Sequence, residues 1–145
     1  MVTPHPWLAK LRSGEFVPPI GKLLGISLLA LEDGACTLEM LTDETQYNPL
    51  GTLHGGIFCD LGDAAMGYAM LATMPEGESF TTIELKANFF KPIWKGHRLR
   101  ATARVVKRTR SIGYIECDIT DEKGSLAARL SSTCMVLRGD AAKGR

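Results

Sequence analysis

Apolar and polar positions change rhythm along this chain, and the changes divide it. Residues 6–13 (PWLAKLRS) suit a short helix, with Pro6 at its start and Gly14 past its end. FVPPIGKLLG follows as a linker, in which Pro18 and Pro19 argue against regular structure. ISLLALEDGACTLEML then holds two strand-like runs around Glu32-Asp33-Gly34, and the Asp-Gly pair predicts a tight hairpin turn. The stretch NPLGTLHGGIFCDLGDAAMGYAM, Asn48 to Met70, is different: a loop, then a helix from Gly55-Gly56 to about Thr73, before Pro75.

Beyond it the period becomes two. FTTIELKANFF sets Ile83, Leu85, Ala87 and Phe89 against Thr82, Glu84, Lys86 and Asn88. HRLRATARVVKRTR likewise sets Leu99, Ala101, Ala103 and Val105 against Arg98, Arg100, Thr102 and Arg104. IGYIECDIT and SLAARLSSTCMVL complete a meander through the Asp121–Gly124 turn, and the tail 139–145 is expected to fray. Two strands, one long helix and four strands exclude a doubly wound parallel sheet. They predict an α+β domain in which a six-stranded, mostly antiparallel sheet and one helix bury each other's apolar faces. The sheet's basic polar face is left to solvent or ligand.

Composition narrows the partners. The 145 residues suit one domain, spanning 1–145, and 45% hydrophobic with 23% charged residues is ordinary for a globular protein. A formal net charge of +1 gives no ground for wholesale binding to nucleic acid or anionic membrane. The longest apolar run falls well short of the ~20 residues a bilayer span needs, and the N-terminal prolines do not suit a signal peptide. Cys36, Cys59, Cys117 and Cys134 are widely spaced in apolar surroundings, which predicts reduced core thiols and a cytoplasmic protein. His5, His54 and His97 are scattered, so neither a metal nor another cofactor is expected.

Two aspartates interrupt the most hydrophobic segment. Asp60 and Asp63 lie three apart, on one side of the predicted helix. A buried carboxylate costs several kcal/mol unless it is paired, so a plain core does not account for them. Asp60, close to the helix start, suits solvent or the helix dipole. Asp63, between Gly62 and Ala64, is the candidate for chemistry. At the other end Gly55 and Gly56 place unsatisfied backbone N–H groups at a helix N-terminus, which suits an oxyanion hole, with Asn48 and His54 orienting the loop. Gly55 and Asp63 are nonetheless about 12 Å apart along one helix, too far to meet one carbonyl. If both act on it, they come from different subunits, and the protein is an obligate dimer with two symmetric sites.

Asn48, Gly51, the LHGG run at Leu53 to Gly56 and an aspartate nine residues after His54 resemble the hotdog-fold acyl-CoA thioesterases of the PaaI-like, phenylacetate-pathway branch. TTIELKANFFKPIWKG and ECDITDEKGSLAARLSSTCMVL resemble the strands that follow the helix in that family. The resemblance implies a curved sheet wrapped around the helix and active sites at a dimer interface, with dimers often pairing into tetramers. It assigns Asp63 as nucleophile or general base, Gly55 as oxyanion donor, Gly56 as substrate-binding, and Asn48 and His54 as holding the loop and the leaving group. Thr82, or adjacent Thr81, would position water. Arg108, Arg110 and Ser111, in the basic turn after Lys107, would meet the coenzyme A phosphates, and Phe58 and Met66 the acyl group. The implied function is hydrolysis of an aryl-acetyl or short-to-medium acyl-CoA. The alternatives are a non-catalytic acyl-CoA sensor of the same fold and a thioesterase for carrier-protein-bound acyl groups.

Overall fold

The structure, a computed structural model, describes residues 1–144. Two short helices, α1 (Trp7–Ser13) and α2 (Pro19–Leu24), precede the hairpin β1 (Ile26–Glu32) and β2 (Ala35–Leu41). The long helix α3 (Gly55–Leu71) follows, then β3 (Glu78–Phe89), β4 (Arg98–Arg108), β5 (Ile112–Thr120) and β6 (Leu126–Arg138). The strands form one sheet in the order β1-β2-β4-β5-β6-β3, and every pairing is antiparallel. This is the six-stranded antiparallel sheet with one long helix that the strand order predicts, and the hotdog arrangement that the resemblance implies.

Packing explains why α3 is apolar yet rich in small residues. Phe58, Leu61, Ala65, Met66, Ala69 and Met70 are buried against Leu38, Leu99, Ile115, Ile119 and Leu130 of the sheet's inner face. A Cβ on Gly62 would overlap the Leu130 side chain, so glycine lets helix and sheet approach closely there. The opposite face of the sheet is charged, and four of its arginines are paired. Arg98 and Arg100 meet Glu39, Arg104 meets Glu116, and Arg129 meets Asp118.

Three local expectations are corrected. The supposed linker contains α2, because Pro19 occupies the helix's first position, where its missing N–H costs nothing. The tail forms a 3-10 turn over Gly139–Ala142 beside β3 and β6, while residue 145 lies outside the described residues. Strict alternation also fails in β3. Ile83 is a bulge residue between the Thr82–Cys134 and Glu84–Thr133 pairs, and it is 56% exposed. One extra residue reverses the pleat, so Thr82 faces the helix before the bulge and Leu85 and Ala87 face it afterwards.

Candidate functional site

The loop before α3 is built around Asn48. Its Oδ1 accepts from the N–H groups of Leu50 (2.9 Å) and Thr52 (3.2 Å), while Nδ2 donates to Thr52 Oγ1 (2.9 Å). The loop's far end is docked by Leu53 N–H to the Ile93 carbonyl (2.8 Å) and His54 N–H to the Gln46 carbonyl (2.9 Å). His54 is the N-cap of α3, and its Nδ1 accepts the Gly56 N–H at 3.0 Å. That cap decides between the two glycines. Gly56 N–H is occupied, whereas Gly55 N–H has no acceptor among the described residues. Gly55 lines a cleft of about 370 Å³ together with Asn48, Leu53, Phe58, Phe89 and Phe90. A Cβ at Gly55 would stand 3.2 Å from the Phe89 ring, so the missing side chain lets an aromatic wall close on the free N–H.

Asp63 lies on the side of α3 that faces β3, at the margin of the packed core. Cys59, Asp63, Ala64 and Gly67 are half-buried there, and Asp60 is exposed. The Thr82 hydroxyl donates to Asp63 Oδ1 at 3.2 Å. The bulge at Ile83 is what turns Thr82, and not Thr81, toward the carboxyl. Burial pushes the Asp63 carboxyl above the usual carboxylate range; the Thr82 hydrogen bond pulls it back, and the nearby Asp60 charge adds to the rise. The result is a carboxylate of increased basicity, bonded on one side only and open on the other. It lies eight residues along α3 from Gly55, about 12 Å by helix rise. The Gly55 N–H and the Asp63 carboxylate of one chain therefore lie too far apart to meet a single carbonyl.

Residues 50–128 match the family described as the Thioesterase superfamily. The chain belongs to the thioesterase superfamily. Human acyl-coenzyme A thioesterase 13 is 28% identical over 122 residues, covering 83% of this chain and 84% of that protein. A thioesterase family protein from Silicibacter pomeroyi superposes with a TM-score of 0.83 at 29% identity, covering 92% of this chain and 99% of its own. The E. coli PaaI protein from the phenylacetic acid degradation operon shares the fold, with a TM-score of 0.83 at 21% identity, over 91% of this chain and 94% of that one.

Within this thioesterase-superfamily fold, the basic turn sits apart from the Gly55 cleft. Gly113, just past it, packs on Met70, at the opposite end of α3. Arg108 is held by Glu78, with N···O 2.6 Å, and also donates to the Thr109 carbonyl. Glu78 further binds Arg138, whose guanidinium donates to the Arg110 carbonyl at 2.7 Å. Arg108 thus braces the turn, while the side chains of Arg110 and Ser111 stay exposed. Met66 is fully buried against the sheet, so Phe58 alone of the two expected acyl-pocket residues lines the cleft. Sequence reasoning missed Phe89 and Phe90, which form the cleft's wall. The aromatic pair before Lys91-Pro92, where the strand pattern ends, is the signal that marked them.

Proposed function

We propose that this protein hydrolyses acyl-CoA thioesters, of an aryl-acetyl or short-to-medium acyl group, at a site shared by two copies of the chain. The observation that carries this reading is the half-buried Asp63 carboxylate held by Thr82 of β3, some 12 Å along the helix from an unpaired Gly55 N–H. The free edge of β3 supports the shared site. It is a 12-residue terminal strand with Ile83 exposed at its bulge and Phe89 and Phe90 at its end. An open strand of this length is a pairing template, and a second β3 would cover it.

In this arrangement Gly55 N–H of one subunit polarises the thioester carbonyl, with the helix dipole behind it. Asp63 of the other subunit either attacks the carbonyl carbon, giving a mixed anhydride and expelling the thiolate, or removes a proton from water held beside Thr82. Both routes need a basic carboxylate, which burial favours. The Phe58, Phe89 and Phe90 wall takes the acyl group, and exposed Arg110 and Ser111 meet the anionic end of coenzyme A. Four unpaired cysteines suit the reducing cytoplasm.

Complementation tests the shared site. Asp63→Asn removes one half and Gly55→Pro the other; proline fits the first helical position, and His54, at φ −65° and ψ 136°, already has the backbone that precedes proline. Each variant alone should lose thiol release from a panel of acyl-CoA esters. Refolding the two together should restore part of it, because each mixed dimer holds one intact pair. No recovery in proven mixed dimers would sink the shared site, and no wild-type turnover on any ester would sink the hydrolase.

A further inference from the structure

A larger cavity, of about 440 Å³, lies away from Asp63, between the N-terminal α1–α2 strap and edge strand β1. Its volume falls within the range of small-molecule pockets. Leu11, Phe16, Val17, Ile26, Leu28 and the half-buried ring of Tyr68 line it. Two features hold it open. The strap is anchored through buried Leu8, Leu11 and Leu24, so the Phe16–Pro18 segment spans between anchors. Strand β1 carries a bulge at Leu29, between the Leu28–Leu38 and Ala30–Thr37 pairs, which bends the edge beside the cavity.

Charge distinguishes this cavity from a packing defect. Arg12 is the one charged residue that lines it, and it is exposed at the rim. Its Nε donates to the Leu31 carbonyl at 3.1 Å, which fixes the guanidinium, and no carboxylate pairs with it among the described residues. A fixed, unpaired guanidinium over an apolar chamber matches a molecule with an apolar body and an anionic head. We infer that the space beneath the α1–α2 strap is a second binding site, for an apolar monocarboxylate whose chain enters the cavity and whose carboxylate meets Arg12.

Gly21 of α2 gives a direct way to close it. Gly21 lines the cavity, and a Cβ there would find only Val17 nearby, at an ordinary 3.6 Å. Decanoate is the probe and decanol its uncharged counterpart. Trp7 packs at a tilt against the lining residue Phe16, with ring centroids 4.7 Å apart, so its emission reports on the cavity once Trp94→Phe removes the other tryptophan. Saturable Trp7 quenching by decanoate is expected. Gly21→Leu should abolish the response to both probes, and Arg12→Gln should weaken decanoate by about fivefold while leaving decanol unchanged. Asp63→Asn should change neither. No saturable response in the parent protein would overturn the site, as would binding that survives Gly21→Leu or is lost in Asp63→Asn. If Gly21→Leu fails to fold, the Arg12→Gln contrast decides alone: equal effects on decanoate and decanol refute the carboxylate assignment. No turnover enters these measurements, so this site stands or falls separately from hydrolysis.

Discussion

Asp63 and Asp121 are two shielded aspartates in one small domain, and their surroundings are opposite. Asp121, in the β5–β6 turn, has a side chain 4% exposed. Lys91 Nζ lies 2.6 Å from its Oδ2, and its Oδ1 accepts the N–H groups of Lys123 (3.0 Å) and Ser125 (2.9 Å). These partners hold its carboxyl down at about 2, the Lys91 bond contributing most. Asp63 has Thr82 as its one hydrogen-bond partner among the described residues and is half-buried, and burial drives its carboxyl up. A carboxylate that stabilises a fold has its oxygens satisfied by that fold. One kept for chemistry is held short of satisfaction, with room for a substrate or water.

Neutralising each in turn should separate these roles most sharply. Asp63→Asn should lower kcat by about 10²–10⁴-fold, the range for a lost acid–base group. Its melting temperature at neutral pH should rise. A carboxyl with a raised native value stabilises the fold fully only below the ordinary value of about 4, and that contribution is lost as pH rises through the raised value. Asp121→Asn should do the reverse, lowering the melting temperature while turnover at 25 °C stays at the wild-type level. Its contribution is present above about pH 4 and is lost as pH falls through about 2, so the two proteins should converge in stability at the acid end. Thermal melts and thiol-release assays across pH check both. A destabilised but active Asp63→Asn would exchange the roles.

Thr82→Ala is expected to have a smaller effect. Removing a hydrogen bond to a charged group should cost about 10–100-fold in kcat. It should also move the pH–rate inflection upward, because the hydroxyl favours the ionised form of Asp63. Thr81→Ala should leave that inflection in place. Asp60→Asn is the mildest change: removing a like charge should shift the inflection downward with little loss of plateau rate. An unmoved inflection would show that Asp60 does not tune Asp63.

The fold was legible because it rests on periodicity. The β1–β2 hairpin, the apolar helix and the alternating strands β4, β5 and β6 each bury a face that their own residues specify. The candidate site was partly legible. Asp63 is a carboxylate within an apolar helix, Gly55 opens that helix with an unsatisfied N–H, and Asn48 belongs to the pattern that carries the family resemblance. The choice of Thr82, the occupation of Gly56 by His54 and the bracing of Arg108 by Glu78 were not legible. Each joins residues through a contact or a one-residue register shift that leaves no periodic trace. Ile83 shows why: the pattern places it inward with Leu85, and an unpaired bulge residue puts it outside.

The sequence by itself determined the hairpin, the long helix and the four later strands, their apolar faces apart from Ile83, and that a carboxylate and a glycine helix start lie too far apart for one chain to use together. Those are local properties, written in spacing and residue type. Tertiary structure decided which threonine meets Asp63, which glycine N–H stays free, and which arginine is already held. It also left an apolar chamber with a single guanidinium at its rim beneath the N-terminal strap. These depend on the bulges, on how the edge strands bend and on what each polar group finds nearby, and that accounting closes only when the whole chain is packed.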